Sequence, residues 1–185
     1  PERIARVCWN TNGWERPSGP IGKLHKGFEG EKGFGHEEWL FDRSRICDDG
    51  YHYGFIQCLN GKSFDGKIML HLYSKSPEQK TLYVGYIRDA EYVDPVAAKE
   101  IVEEYESKGW FDKMMNEIKS VGGNPYKETT PFNIRFRFEN FVDYTDRNLF
   151  IASDDSNFRA EYYGIMLKKL EPFRFENGII VGQFK

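Results

Sequence analysis

Two stretches in the first third of the chain gather side chains that can do chemistry. Trp9-Asn10-Thr11-Asn12-Gly13-Trp14 and Gly33-Phe34-Gly35-His36-Glu37-Glu38-Trp39-Leu40-Phe41 place Trp, Asn, His and Glu among glycines. Aromatic faces stack on a base or enclose a methyl group, Asn pairs with a base edge, and glycine lets a backbone approach closely. Trp14, Trp39, Asn10, Asn12 and His36 are therefore candidate base contacts. Trp39, Leu40 and Phe41 equally suit a loop anchored in a core. Asn10, Asn12 and Trp14 sit in a Gly/Pro-rich loop where core duty is less natural. A third stretch, Asp49-Gly50-Tyr51-His52-Tyr53-Gly54-Phe55, alternates so that Tyr51, Tyr53 and Phe55 share one side and His52 takes the other. The tyrosine side either walls a planar ligand or is a core face with hydroxyls at its rim.

Phosphate candidates lie elsewhere. Arg135 and Arg137 alternate with phenylalanines, and Lys23 and Lys26 punctuate the long N-terminal loop. A guanidinium pair on one strand face grips phosphates bidentately, or forms a solvated face paired with local Glu. For catalysis, Asp65-Gly66-Lys67 and Glu78-Gln79-Lys80 are fragments of the carboxylate-plus-lysine pattern of metal-dependent nucleases. Such an enzyme would use Asp65 and Lys67 with His36 or Glu38. No P-loop, G-x-S-x-G or G-x-G-x-x-G is present, and spacing alone supports no nucleophile–base pair. Cys8, Cys47 and Cys58 form no C-x-x-C, and the four histidines no H-x-x-x-H. No disulfide framework, structural zinc or other cofactor is expected, and a reducing cytosol fits.

These residues need elements to position them. Residues 4–9 read as a strand and 10–36 as one long loop, of a length that compact domains keep for function. A short helix is predicted over 36–46 and a strand over Tyr51–Leu59, after the turn Asp48-Asp49-Gly50. Lys67–Ser74 and Lys80–Ala90 are strands joined by the turn Ser76-Pro77-Glu78-Gln79. Asp94 as N-cap and Pro95 at the first position open a helix closed by Gly109. Trp110–Val121 is a second helix, closed by Gly122-Gly123. Phe132–Phe138 alternates strictly, and Tyr162–Leu170 and Gly178–Phe184 are predicted final strands. The helices form one insertion between strands. The fold class is thus α+β, with a mainly antiparallel sheet that curls into a barrel-like shape.

Length and composition bound the rest. The 185 residues fit one domain, 1–185, and 39% hydrophobic with 16% aromatic residues supplies an ordered core. The start at Pro1 and the stop after Ile179-Ile180-Val181 fit either a processed full chain or a domain cut from a longer protein. No apolar stretch suits a membrane helix or a secretion signal, so a cytoplasmic protein without a membrane partner is expected. The net charge of −3 excludes a wholly basic nucleic-acid coat. Residues 1–35 carry six Lys/Arg against four Asp/Glu, and 94–128 five against eight. The acidity is concentrated in the helical insertion.

The motifs Trp9–Trp14 with Pro17-Ser18-Gly19, Gly33–Phe41 and Gly50–Phe55 resemble the N-terminal region of bacterial modification-dependent (type IV, McrA/HNH-like) restriction endonucleases. Tyr83-Val84-Gly85-Tyr86-Ile87 and Phe132-Asn133-Ile134-Arg135-Phe136 resemble strands of PUA-like domains, the EVE, YTH and SRA group. The resemblance implies a PUA-like pseudo-barrel with a two-helix insertion. It implies a module that binds double-stranded DNA through a methylated or hydroxymethylated base flipped into an aromatic cage. Nuclease chemistry would then lie in another domain, because this chain has no H-N-H motif. Trp14, Trp39, Tyr51 and Tyr53 would stack on or enclose the base. Asn10, Asn12 and His36 would read its edge, and Arg135, Arg137, Lys23 and Lys26 would hold phosphates. A protein-interaction domain of a defence system is the bland alternative.

Overall fold

The computed structural model describes residues 2–23, 25–126, 131–147, 174–176 and 179–181. Its centre is a hairpin. Lys67–Lys75 (β3) pairs antiparallel with Thr81–Tyr92 (β4), from Lys67↔Glu91 to Lys75↔Thr81, with register shifts between Ile68 and Leu70 and between Leu72 and Tyr73. The expected turn closes it, with Ser76 N–H bonded to Lys80 O and Gln79 N–H to Ser76 O, both at 2.9 Å. Ile68, Leu70 and Leu72 of β3 and Leu82, Val84 and Ile87 of β4 are buried in one hydrophobic cluster. Burying each contributes about 1.5–3 kcal/mol.

Four short strands complete the sheet. Glu2–Arg6 (β1) adds parallel to β3, as in Ile4↔His71. On the far side of β4, Ile134–Phe136 (β5) pairs at Glu91 and Tyr92, and Phe141–Asp143 (β6) at Gly85–Ile87. His52–Gly54 (β2) then joins β5. The result is a mixed six-stranded sheet of order β1-β3-β4-β5-β2, with β6 beside β4. Among the described residues it is uncurled, with β1 and β2 at the two ends of that order, so the curled sheet expected from strand count is not what forms. Arg174–Glu176 (β7) and Ile179–Val181 (β8) make a separate antiparallel pair. The strand predicted over Tyr162–Leu170 lies outside the described residues.

Gly85 is required where β4 meets β6. Its φ is +149°, and a Cβ there would sit 2.2 Å from the Val142 carbonyl oxygen. Gly85→Ala is expected to destabilise the protein by about 1–3 kcal/mol, checked by urea unfolding.

The helical insertion forms as predicted between β4 and β5. Pro95–Ser107 (α2) is capped by Asp94, whose carboxylate accepts from Val96 and Ala97 N–H. Trp110–Ser120 (α3) follows at once, with Gly109 at φ +66° between them. Phe111, Met114 and Ile118 lie on one face of α3. They join Tyr105 of α2, Phe34, Trp39, Tyr53 and Phe132 in a second hydrophobic cluster. Among the described residues no helix is long and apolar enough to cross a membrane.

The structure departs from the local pattern in three places. The long loop contains a short helix, Gly27–Lys32 (α1), which the glycines conceal. The helix predicted over 36–46 shrinks to a 3₁₀ turn, His36–Trp39, because Asp42 turns its carboxylate onto Ser44 N–H and O–H at 2.9 and 2.6 Å. The strand predicted through Leu59 stops at Gly54, because the Asn133 amide bonds both Ile56 N–H and Ile56 O at 2.9 Å. That also turns Phe132 into the second cluster while Ile134 and Phe136 stay in the first.

Candidate functional site

The loop from Asn10 to Trp39 is organised around one buried carboxylate. Glu38 is fully buried and accepts from the Asn10 amide, Ser18 N–H, the Lys23 ammonium and Gly35 N–H at 2.9–3.1 Å. Lys23 also reaches the Trp9 carbonyl. Asn10 spends its other groups locally: its amide donates to Arg16 O, and its oxygen accepts from Asn12 and Trp14 N–H. The Asn12 amide donates to Pro17 O. Trp14 is 1% exposed, has φ +57°, and donates its indole N–H to Cys8 O at 2.9 Å.

Asn10, Trp14 and Lys23, expected to face DNA, are thus buried and turned inward, and half-buried Asn12 is tied to the same loop. These groups hold the loop against itself, because a buried polar group must be satisfied locally. Lys26 is exposed just before α1, away from this network. The nuclease alternative loses Glu38 to the same network. Its Lys67 lies 3.9 Å from Glu91, and Asp65 sits in the exposed loop before β3.

Tyr51, Tyr53, Arg135 and Arg137 come together at the β2–β5 pair. Tyr51, just before β2, has the Arg135 and Arg137 guanidinium carbons 4.6 and 4.5 Å from its ring centroid. Its hydroxyl donates to Glu91 at 3.3 Å, and Arg135 donates to the other Glu91 oxygen at 2.8 Å. Glu91 thus fixes both. Burial works against its charge, yet the Arg135 bond holds its carboxyl below the ordinary range. Arg137 reaches the Asp49 carbonyl at 3.4 Å. Tyr53 donates to Asp49 Oδ2 at 2.7 Å and accepts from Arg135 at 3.4 Å. Burial pushes its hydroxyl up to about 12, so it stays a neutral donor.

Tyr53 also walls an aromatic crevice with His36, Trp39, Phe55 and Phe132, beside Arg45. Trp39 is pinned there by Glu117, which accepts its indole N–H at 2.6 Å and also pairs with Arg45 at 3.0 Å. A second cavity continues past His36 and Trp39 to Phe34, Met115 and Tyr126. The two measure about 20 and 10 Å³, room for one water at most in each. As it stands, the crevice is closed to a base.

A third group was invisible in the spacing. Cys8 Sγ and carboxylate oxygens of Glu29 and Glu37 lie within 4.8 Å of one another, all buried. Glu37 accepts from Cys8 N–H at 2.8 Å and Gln57 N–H at 2.7 Å. Burial, with Glu29 second, pushes the Glu37 carboxyl up to about 8, and burial also raises the Cys8 thiol. Sulfur and carboxylate donors suit zinc. They come from three separate segments of the chain, which is why no metal motif appears in the sequence. Gly35 has an ordinary φ of −118°, but a Cβ there would lie 2.8 Å from Cys8 Sγ.

No protein-family model, curated protein or solved structure matches the chain. Fold and site alone define its class: an α+β protein presenting an arginine-flanked tyrosine beside a closed aromatic crevice.

Proposed function

We propose that the chain is a DNA-binding module that recognises a methylated or hydroxymethylated base in double-stranded DNA. It would serve a cytoplasmic bacterial restriction or defence protein whose catalysis resides in a separate domain. A PUA-like kinship of the sheet and its helical insertion belongs to the same proposal. One observation carries it. The Tyr53 ring walls the aromatic crevice while its hydroxyl meets Arg135, beside a Tyr51 ring that carries two guanidiniums. Base-stacking and phosphate-gripping chemistry thus adjoin within one strand pair. Arg137 is the guanidinium with more to offer a phosphate, since Arg135 is already paired with Glu91.

The test is a titration panel at fixed salt: unmodified, 5-methylcytosine, 5-hydroxymethylcytosine and N6-methyladenine duplexes. One modified duplex is expected to bind more tightly than the plain one. Arg137→Ala is expected to weaken binding to all duplexes alike and to reduce the slope of log K against log salt by about 0.9. Tyr51→Ala is expected to lower affinity by about 1–3 kcal/mol through lost stacking. Equal or absent binding across the panel overturns the proposal.

A further inference from the structure

The closed crevice is closed by a particular ring. The His36 imidazole stacks on Phe28, with centroids 4.9 Å apart and planes 30° from parallel. Phe34, Phe55 and Tyr126 meet it edge-on at 5.4, 5.5 and 6.5 Å. One stacked face and three edges is the arrangement that aromatic side chains offer a planar guest. Here the guest is the protein's own nitrogen heterocycle. Both cavities of the crevice are lined by His36, Trp39, Met114 and Pro131. The imidazole thus borders both water-sized spaces. Tyr126, at the edge of this space, is 43% exposed.

We propose that the ring-lined space around His36 is a binding site for a planar nitrogen heterocycle, and that the His36 imidazole occupies it until such a ligand displaces it. A nucleobase as that ligand rests on the DNA-recognition role proposed above. His36 is then a competitor for the pocket rather than a reader of the base edge. Such a plug weakens binding by the fraction of time the pocket is open. An imidazole that fills the pocket about nine-tenths of the time costs about tenfold in affinity.

The test titrates wild type, His36→Ala and His36→Ala/Phe28→Ala with cytidine, 5-methylcytidine, adenosine and N6-methyladenosine, read by tryptophan fluorescence and calorimetry. His36→Ala is expected to bind at least one nucleoside about tenfold more tightly than wild type. Free imidazole is expected to compete with the nucleoside in His36→Ala and to have little effect in wild type. The added Phe28→Ala is expected to remove the gain. Unchanged or weaker nucleoside binding by a folded His36→Ala, verified by circular dichroism, overturns the plug. If His36→Ala does not fold, His36→Ser serves in its place under the same criteria. Duplex binding by wild type is measured alongside. Nucleoside binding by His36→Ala without duplex binding retains the pocket and removes the DNA role. Duplex binding unaffected by His36→Ala retains the DNA role and removes the plug.

Discussion

Lys23→Met is expected to lower the free energy of unfolding by about 3–5 kcal/mol, the cost of leaving a buried charge without its counter-ion. The Lys23 and Glu38 side chains are 1% and 0% exposed and meet at 2.9 Å. Water cannot replace the ammonium without opening the loop. The amide and backbone donors to Glu38 soften the loss without neutralising the carboxylate. Adding Glu38→Gln is expected to recover part of the stability, because a neutral amide does not need the cation. A double-variant cycle in urea measures that coupling. A Lys23→Met loss below about 1 kcal/mol, in the range of a surface pair, would show that the ion pair does not organise the loop. The consequence for the proposed pocket is direct. Glu38 sits on the same 3₁₀ turn as His36 and Trp39, so a loosened ion pair loosens two walls of the crevice.

Acid is expected to weaken the fold through two histidines. His52 is 1% exposed, and its ring nitrogen Nδ1 lies 2.9 Å from the Arg45 carbonyl. His71 is 5% exposed and lies 2.6 Å from the Tyr83 hydroxyl. Burial lowers both to about 4 from an ordinary value of 6.5. The unfolded chain therefore takes up these protons first as pH falls. The stabilisation is complete above pH 6.5 and is lost between 6.5 and 4, on the order of 3 kcal/mol for each histidine. Glu37 has the opposite sign. Its raised carboxyl favours the fold most below its ordinary value of 4.5, an advantage lost as pH rises towards 8. Comparing wild type with His52→Gln and His71→Gln cancels that contribution. The stability gap between wild type and each variant is expected to narrow from pH 7 to pH 4.5. A gap constant across that range would mean that the buried rings do not resist protonation.

Local rules were enough for much of this protein. The β3–β4 hairpin, the Asp94 cap, the Pro95 start and the Gly109 break between the two helices are encoded within a few residues of where they act. Period-two and period-3.6 patterns express them directly, and the α+β class follows. The alternation of Tyr51, Tyr53 and Phe55 against His52 was legible for the same reason, as was that of Arg135 and Arg137 against Phe136.

Only the tertiary structure decided what the first forty residues do. Asn10, Trp14, Lys23 and Glu38 look like loop chemistry in sequence because nothing within a few residues of them offers a core. Their partners lie up to 28 positions away, and a buried polar network is a property of enclosure, not of spacing. The same physics hid Cys8, Glu29 and Glu37, and placed Asn133 where it ends the Tyr51 strand 77 residues earlier. It also decided the crevice. Sequence alone puts His36 among aromatic residues. Only the tertiary structure brings Phe28, Phe34, Phe55 and Tyr126 around its imidazole.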